Sequence, residues 1–265
     1  MPELPDLVAI KRYFDSTSLH RRIGSVEVGR TYVLGDLPPE RLISTLQGRE
    51  FLRTVRHGKN LLAETDDERW LRLHFGMTGH LRYFKDPNEQ PVHARVVFVF
   101  ENGYRLAYIC QRMLGHVSLE KGPEQFIERE GLGPDALRMN ADRFREIFRE
   151  RRGMLKSTLM NQSVIAGLGN VYADEALFQA RMHPRATFDQ LAEDGLDILY
   201  HAIQDVLRTA VDRGSDARDL PETYLVHRRG QDEPCPRCTS SIRRTKVNQR
   251  STYFCPRCQK KPNTA

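Results

Sequence analysis

No apolar run in this chain approaches the ~20 residues that a bilayer span requires, and there is no internal repeat or low-complexity tract. The first absence excludes a transmembrane helix from the expectations. The opening residues, Met1-Pro-Glu-Leu-Pro-Asp6, lack the basic region and apolar stretch of a secretory signal. The expected location is therefore the cytoplasm, a reducing compartment in which disulfides are rare. Cysteine is scarce, at five in 265 residues. What remains is ordinary for a globular protein: 39% hydrophobic and 29% charged residues. The length suffices for two modest domains and a small metal module.

The net charge of +6 permits an anionic partner without naming one. Its distribution is more informative. Between positions 221 and 265 there are ten Lys/Arg against three acids, an excess of seven positive charges, so the rest of the chain is close to neutral. Four of the five cysteines lie in the same segment as Cys235-x₂-Cys238, 16 intervening residues, and Cys255-x₂-Cys258, a zinc-ribbon spacing. Each pair can sit on a tight knuckle, Cys-Pro-Arg-Cys, with four thiolates converging on one structural zinc ion. A redox Cys-x-x-Cys is the competing reading, and two such pairs in one short basic segment argue against it. Zinc with four thiolates carries two negative charges and leaves the module basic, which makes nucleic acid its expected partner. Cys110, in Leu106-Ala-Tyr-Ile-Cys110, reads as a small core residue.

Along the chain, Pro5 suits the first turn of a helix, and Leu7, Ile10 and Phe14 recur at helical spacing. Strand-like stretches follow at 23–34, 51–56, 60–64, 70–75, 80–84, 93–100 and 104–110, with Asn102-Gly103 as a hairpin signal. A helix followed by many strands predicts a β-sandwich. Glycine and proline at Gly122-Pro123 and Gly131-Leu-Gly-Pro134 mark a linker. Beyond it the pattern is helical, at 141–149, 153–161, 170–180 and 191–211, with Val164-Ile-Ala-Gly-Leu-Gly169 between the second and third helices. That glycine turn presents backbone N–H groups at a helix N-terminus, a grip for phosphate; an ordinary helical hairpin would look the same. Short strands are expected at 242–247 and 250–254 around Asn248-Gln249. The fold expected is an α+β multidomain chain: N-terminal helix and β-sandwich at 1–115, a linker at 116–135, a helical domain at 136–220, and a zinc-ribbon finger at 221–265.

Four segments in register, Met1-Pro-Glu-Leu-Pro5, His74-Phe-Gly-Met-Thr-Gly79, Asn161 to Glu175 and the terminal ribbon, resemble the formamidopyrimidine-DNA glycosylase and endonuclease VIII family. The resemblance implies a DNA-repair enzyme that flips an oxidised base out of the duplex, cuts its glycosidic bond and nicks the backbone as an abasic-site lyase. It also implies a helix-bearing sandwich, a helix–two-turn–helix domain and a zinc finger, with DNA in the cleft between. The partner is then double-stranded DNA carrying a damaged base or abasic site, and the enzyme a monomer with no membrane partner.

Carried over to this sequence, the resemblance makes Pro2 the nucleophile after Met1 is removed and Glu3 the adjacent general acid/base. A secondary amine can displace a base at C1′ and form an iminium, and an α-amino group titrates near pH ~7.7–8.0, so much of it is neutral when it attacks. Lys59 becomes a catalytic turn lysine that also contacts phosphate near the lesion. Asn170 and Arg250 bind flanking phosphates, positioning the duplex without reading it; Lys156 adds a further phosphate contact or is simply a helix-surface lysine. Met77 and Arg112 fill the void left by the flipped base, a step that costs a few kcal/mol of unstacking. Two positions depart from the purine-preferring pattern: Leu114 stands where Phe is usual, and Asp6 in the lesion pocket where Glu is common. The stretch 214–224 is also short for a loop covering oxidised guanine. Weak excision of 8-oxoguanine relative to formamidopyrimidines or oxidised pyrimidines is therefore expected. A non-catalytic damage-binding protein of the same fold is the rival reading, and Pro2 and Glu3 argue against it.

Overall fold

In the computed structural model, which describes residues 2–261, the alternating strand pattern of the first half folds as two four-stranded antiparallel sheets. Met1, whose removal the resemblance implies, and residues 262–265 of the expected finger lie outside the described residues. One sheet has the order β1-β6-β7-β5, built from Ile23–Val28, Ala94–Phe100, Arg105–Ile109 and His80–Phe84. The other is β2-β3-β4-β8, built from Phe51–His57, Asn60–Thr65, Trp70–His74 and His116–Glu120. Inward residues at period two, such as Leu61, Ala63, Leu71 and Leu73 on one sheet and Val96, Phe98, Leu106 and Tyr108 on the other, form a single core. Helix α1 (Leu4–Ser18) delivers Leu7 and Phe14 to this core. Phe51 stacks edge-on against both Phe14 and Phe98, at 5.2 and 5.9 Å between ring centroids, so helix and both sheets interlock through one aromatic.

Three elements here escape the pattern of the sequence. Helix α2 (Pro39–Leu46) buries Leu42 and Leu46. Strand β8 pairs with β4 from Trp70↔Glu120 to His74↔His116, where a linker is expected. Helix α3 (Pro123–Arg129) follows it with Pro123 in the first turn. The long first strand expected at 23–34 ends at Val28, and Thr31–Leu34 is a 3₁₀ turn.

The chain divides into two compact units: Met1–Pro2 with Asp6–Gly131, and Glu3–Pro5 with Leu132–Ala265. The second contains α4 (Ala141–Phe148), α5 (Leu155–Leu159), α6 (Asn170–Gln179), α7 (Gly195–Asp212) and the hairpin β9/β10 (Arg243–Val247 and Arg250–Phe254). Asn140 caps α4 by accepting from the Arg143 N–H at 2.9 Å. Helix α6 is buried from Tyr172 to Phe178, including Asp174 and Glu175. Burying charge is costly unless each carboxylate is paired. Both are: Asp174 by Lys156 and Arg229, and Glu175 by the N–H groups of Leu225 and Val226 and by Gln179. The helix thus acts as a polar axle that fixes the segments around it. One of these is the finger, whose core joins Phe178 of α6 to Leu225, Cys235, Ile242 and Cys255.

Candidate functional site

The sequence-predicted residues fall into two groups, one in each unit. In the first, register brings together segments far apart in sequence. Asn60 pairs with His74 and His74 with His116, so the turn before β3, the loop after β4 and the loop before β8 share one end of the sheet. They carry Lys59, Met77 and the pair Arg112 and Leu114 respectively. Lys59, on the tight β2–β3 turn, is 8% exposed, and is therefore not the solvated lysine that a turn usually offers. Leu114 is 52% exposed, and Arg112 is exposed while Met77 is half-buried. The two loops interlock. The Arg112 N–H donates to Thr78 Oγ1 at 3.4 Å, and Gly76, at φ +55°, lies so close to Leu114 that a Cβ would meet its carbonyl at 2.4 Å. Asp6 is half-buried in the first turn of α1.

His74 belongs to this group although no role is assigned to it from sequence. Its ring accepts from the Gly76 N–H at 3.4 Å, and its carbonyl from the Tyr108 hydroxyl at 2.7 Å. Burial, with the charges of Arg72, Lys59 and His116 around it, pushes its pKa down to about 4, so the ring is neutral at pH 7. The signal available beforehand was only its place at the head of a glycine-rich loop.

In the second group Glu3 and Asn170 meet at the N-terminus of α6. The N–H groups at such an end need acceptors, and the Glu3 carboxylate accepts from three of those gathered there. Gly169 N–H donates to its Oε2 at 2.9 Å, Val171 N–H to its Oε1 at 2.9 Å and Tyr172 N–H to Oε2 at 3.2 Å. The positive end of the helix dipole and three donors together hold a negative charge here. Glu3 is 3% exposed. Gly169 is required by this approach, because a Cβ there would sit 2.3 Å from the Glu3 Cδ. Pro2, the next residue back along the chain, is half-buried.

Asn170 opens α6 and donates from Nδ2 to the Ser251 carbonyl at 3.0 Å; its Oδ1 is buried without a hydrogen-bond partner among the described residues. Arg250, exposed at the start of β10, follows Asn248 and Gln249, whose positive φ of 46° and 60° make the tight hairpin turn. Lys156 corrects the sequence reading. It is wholly buried, with Nζ 2.7 Å from Asp174 Oδ1 and 2.7 Å from Thr252 Oγ1, so neither a surface lysine nor an accessible phosphate contact describes it. Asp174, in the Asn161 to Glu175 motif, is its missed partner. Two adjacent carboxylates, Asp174 and Glu175, on an otherwise apolar stretch of helix from Val171 to Phe178 were the available signal.

Cys235, Cys238, Cys255 and Cys258 bring their sulfurs within 4.8 Å of one another, with 3.9 Å between Cys235 and Cys258 and 3.5 Å between Cys238 and Cys255. Thiolates at ~2.3 Å from a tetrahedral zinc stand about 3.8 Å apart, so the residues present fit that ion. Both knuckles turn N–H groups toward sulfur, Arg237 to Cys235 at 3.5 Å and Cys258 to Cys255 at 3.4 Å, which offsets thiolate charge. Cys110, buried in the sandwich core, stands apart from the cluster.

Comparison with known proteins agrees with this geometry. Residues 1–117 match the formamidopyrimidine-DNA glycosylase N-terminal domain, 131–220 the H2TH domain of the same enzymes, and 232–261 the zinc finger found in FPG and IleRS. The chain is 36% identical to the formamidopyrimidine-DNA glycosylase of Heliobacterium modesticaldum, over 98% of this chain and all of that protein, and 33% identical to that of Protochlamydia amoebophila over the same shares. Among solved structures, Lactococcus lactis Fpg (MutM) in complex with DNA containing N7-benzyl-Fapy-dG superimposes with a TM-score of 0.90 at 28% identity, covering 98% of this chain and all of that one. A MutM complex with DNA containing carbocyclic 8-oxo-G gives 0.89 at 28% identity, with the same coverage.

Proposed function

Because the chain belongs to the formamidopyrimidine-DNA glycosylase family, we propose that it excises oxidised bases from duplex DNA and then cleaves the backbone as an abasic-site lyase, with the Pro2 amine as nucleophile. The observation that carries this reading is the Glu3 carboxylate held by three backbone N–H groups directly beside Pro2. An acceptor fixed at that place steadies positive charge on a neighbouring amine and takes or returns a proton during the reaction.

The Pro2 nitrogen forms a bond to the sugar C1′ while the glycosidic bond breaks, and the base departs with that electron pair and a proton. Opening of the sugar gives an iminium between Pro2 and C1′. The iminium acidifies C2′, whose proton is removed as the 3′ C–O bond to phosphate breaks, and water then releases the sugar from the enzyme. Lys59, Asn170 and Arg250 hold phosphates around the lesion, while Met77, Arg112 and Leu114 occupy the space vacated by the flipped base. Cys235, Cys238, Cys255 and Cys258 would hold a structural zinc ion, which would steady the finger that carries Arg250. The working parts are the sandwich, which takes in β8, the helical domain at 136–220 and the finger at 221–265, and the enzyme acts as a monomer on DNA in the cytoplasm.

For the lesion, Asp6 shortens a pocket carboxylate by one methylene, Leu114 offers a wedge that stacks less well than Phe, and 214–224 is short. These features favour formamidopyrimidines, oxidised pyrimidines and abasic sites over 8-oxoguanine. Single-turnover rates on matched duplexes decide this: 8-oxoguanine opposite cytosine as the fastest substrate would overturn the preference.

The test of the chemistry is borohydride trapping on abasic-site DNA with the wild type and Pro2→Gly, alongside intact-mass measurement. The expected result is a protein lacking Met1 whose covalent adduct is lost or strongly reduced in the variant. An undiminished adduct, or a native protein that retains Met1, removes Pro2 from the mechanism.

A further inference from the structure

The finger hairpin β9/β10 is anchored in a way that the phosphate contacts alone do not explain. Lys156 Nζ forms an ion pair with Asp174, 2.7 Å from Oδ1, and donates to Thr252 Oγ1 at 2.7 Å and to the Ser251 carbonyl at 3.3 Å. Thr252 Oγ1 passes the connection on, donating to the carbonyl of Arg250 at 3.1 Å. The Ser251 carbonyl is shared, because Asn170 Nδ2 donates to it at 3.0 Å. Asp174 Oδ2 takes the Tyr253 N–H at 3.2 Å and Arg229 Nη1 at 2.6 Å. Residues 250 to 253 of β10 are thus each fixed, directly or through one atom, to a group centred on one ammonium.

We propose that Lys156 is a positioning residue for DNA binding, whose buried ammonium sets the register of Arg250 against Asn170 so that both meet the duplex together. The proposal rests on the reading of Arg250 and Asn170 as phosphate contacts. Lys156 itself has no exposed surface and contributes no phosphate contact of its own. Its charge is spent inside: with Arg229 it balances Asp174, and burial lowers its pKa while Asp174 opposes that shift. A neutral side chain of similar length would fill the space and leave the Ser251 and Thr252 oxygens without their common donor.

The experiment is a double-mutant cycle read by affinity and by its salt dependence, on a duplex carrying a tetrahydrofuran abasic-site analogue, with zinc content measured for each protein. Arg250→Ala is expected to weaken binding about tenfold and to flatten the slope of log Kd against log salt by about one phosphate contact. Lys156→Met, with zinc retained, is expected to reproduce both changes, and the double variant to bind no more weakly than the weaker single one. Thr252→Val repeats the cycle while leaving the Lys156–Asp174 pair intact, and is expected to be likewise non-additive with Arg250→Ala. If Lys156→Met and Arg250→Ala each take away their own increment of affinity and slope, Lys156 acts independently and the proposal falls while the phosphate reading stands. If Arg250→Ala binds like the wild type, the phosphate contact itself is absent and both fall. Wild-type affinity in Thr252→Val overturns the relay.

Discussion

Glu3 reaches Gly169 across 166 positions of sequence, its Oε2 accepting the Gly169 N–H at 2.9 Å with no room for a methyl group between them. Gly169→Ala is therefore a probe of catalysis that changes no reacting group. The added Cβ would push the carboxylate off the end of α6, and a displacement of about 1 Å at a reacting centre can cost on the order of 100-fold in rate. Single-turnover base excision should fall by that order, with zinc content and the unfolding midpoint of the finger unchanged. Wild-type excision in Gly169→Ala would show that the position of Glu3 does not matter.

Glu3→Gln keeps the shape and replaces one acceptor oxygen by an NH₂ that faces N–H donors. Excision of an intact lesion, which calls for proton transfer, is expected to fall 10²–10⁴-fold, and cleavage of a preformed abasic site much less. Parallel quenched-flow and gel assays on the two substrates measure the ratio; equal losses would mean that Glu3 serves both steps alike.

Removal of zinc tests the C-terminal half. Phe178 of α6 lies in the same small core as Cys235 and Cys255, and Arg237 ties the knuckle back to Gln179 at 2.9 Å. Chelation, or Cys255→Ser, should unfold the finger and abolish tight DNA binding. The sandwich should retain its cooperative transition. Circular dichroism and calorimetry with a zinc-sensitive dye follow both events, and DNA affinity unaffected by loss of zinc would contradict the structural role.

Acid stability should depend on His74. Its folded pKa is lowered from 6.5 to about 4, so between those values the unfolded chain binds a proton that the folded chain does not. The stability tied to the neutral ring is complete above pH 6.5 and is lost as pH falls toward 4, amounting to about 3 kcal/mol in the limit. His116 and His183, also lowered by burial, act in the same direction. Urea unfolding at pH 7 and pH 4.5 should show a smaller loss for His74→Gln than for the wild type, and equal losses would rule the ring out.

The sequence made the repetitive elements legible and left the singular ones hidden. The strand at 80–84 is read to the residue, and the hairpin around Asn248-Gln249 to within one, because period-two alternation and turn chemistry are local. Strand β8 was hidden by its surroundings, since five residues between Gly115 and the Gly122-Pro123 turn resemble linker until β4 supplies a partner. Among the functional residues, the cysteine cluster was fully legible from spacing. Lys156 was not. Nothing local distinguishes a lysine on the outside of a short helix from one turned inward, and only Asp174 and Thr252, distant in sequence, decide it. His74 stayed without a role for the same reason: its neutrality comes first from burial, with the charges of Arg72 and Lys59 adding to it, and sheet register assembles that setting.

The long reach from Glu3 to the start of α6 also has a consequence for synthesis. At roughly 5–20 residues per second, the ribosome adds the segment bearing Gly169 about ten to thirty seconds after it has added Glu3. Throughout that interval Pro2 and Glu3 are present on the nascent chain without the amides that hold the carboxylate. Translation products that stop short of α6 carry the same N-terminal sequence and lack the three amides that fix the Glu3 carboxylate, so an interrupted message yields a chain in which that carboxylate is unheld.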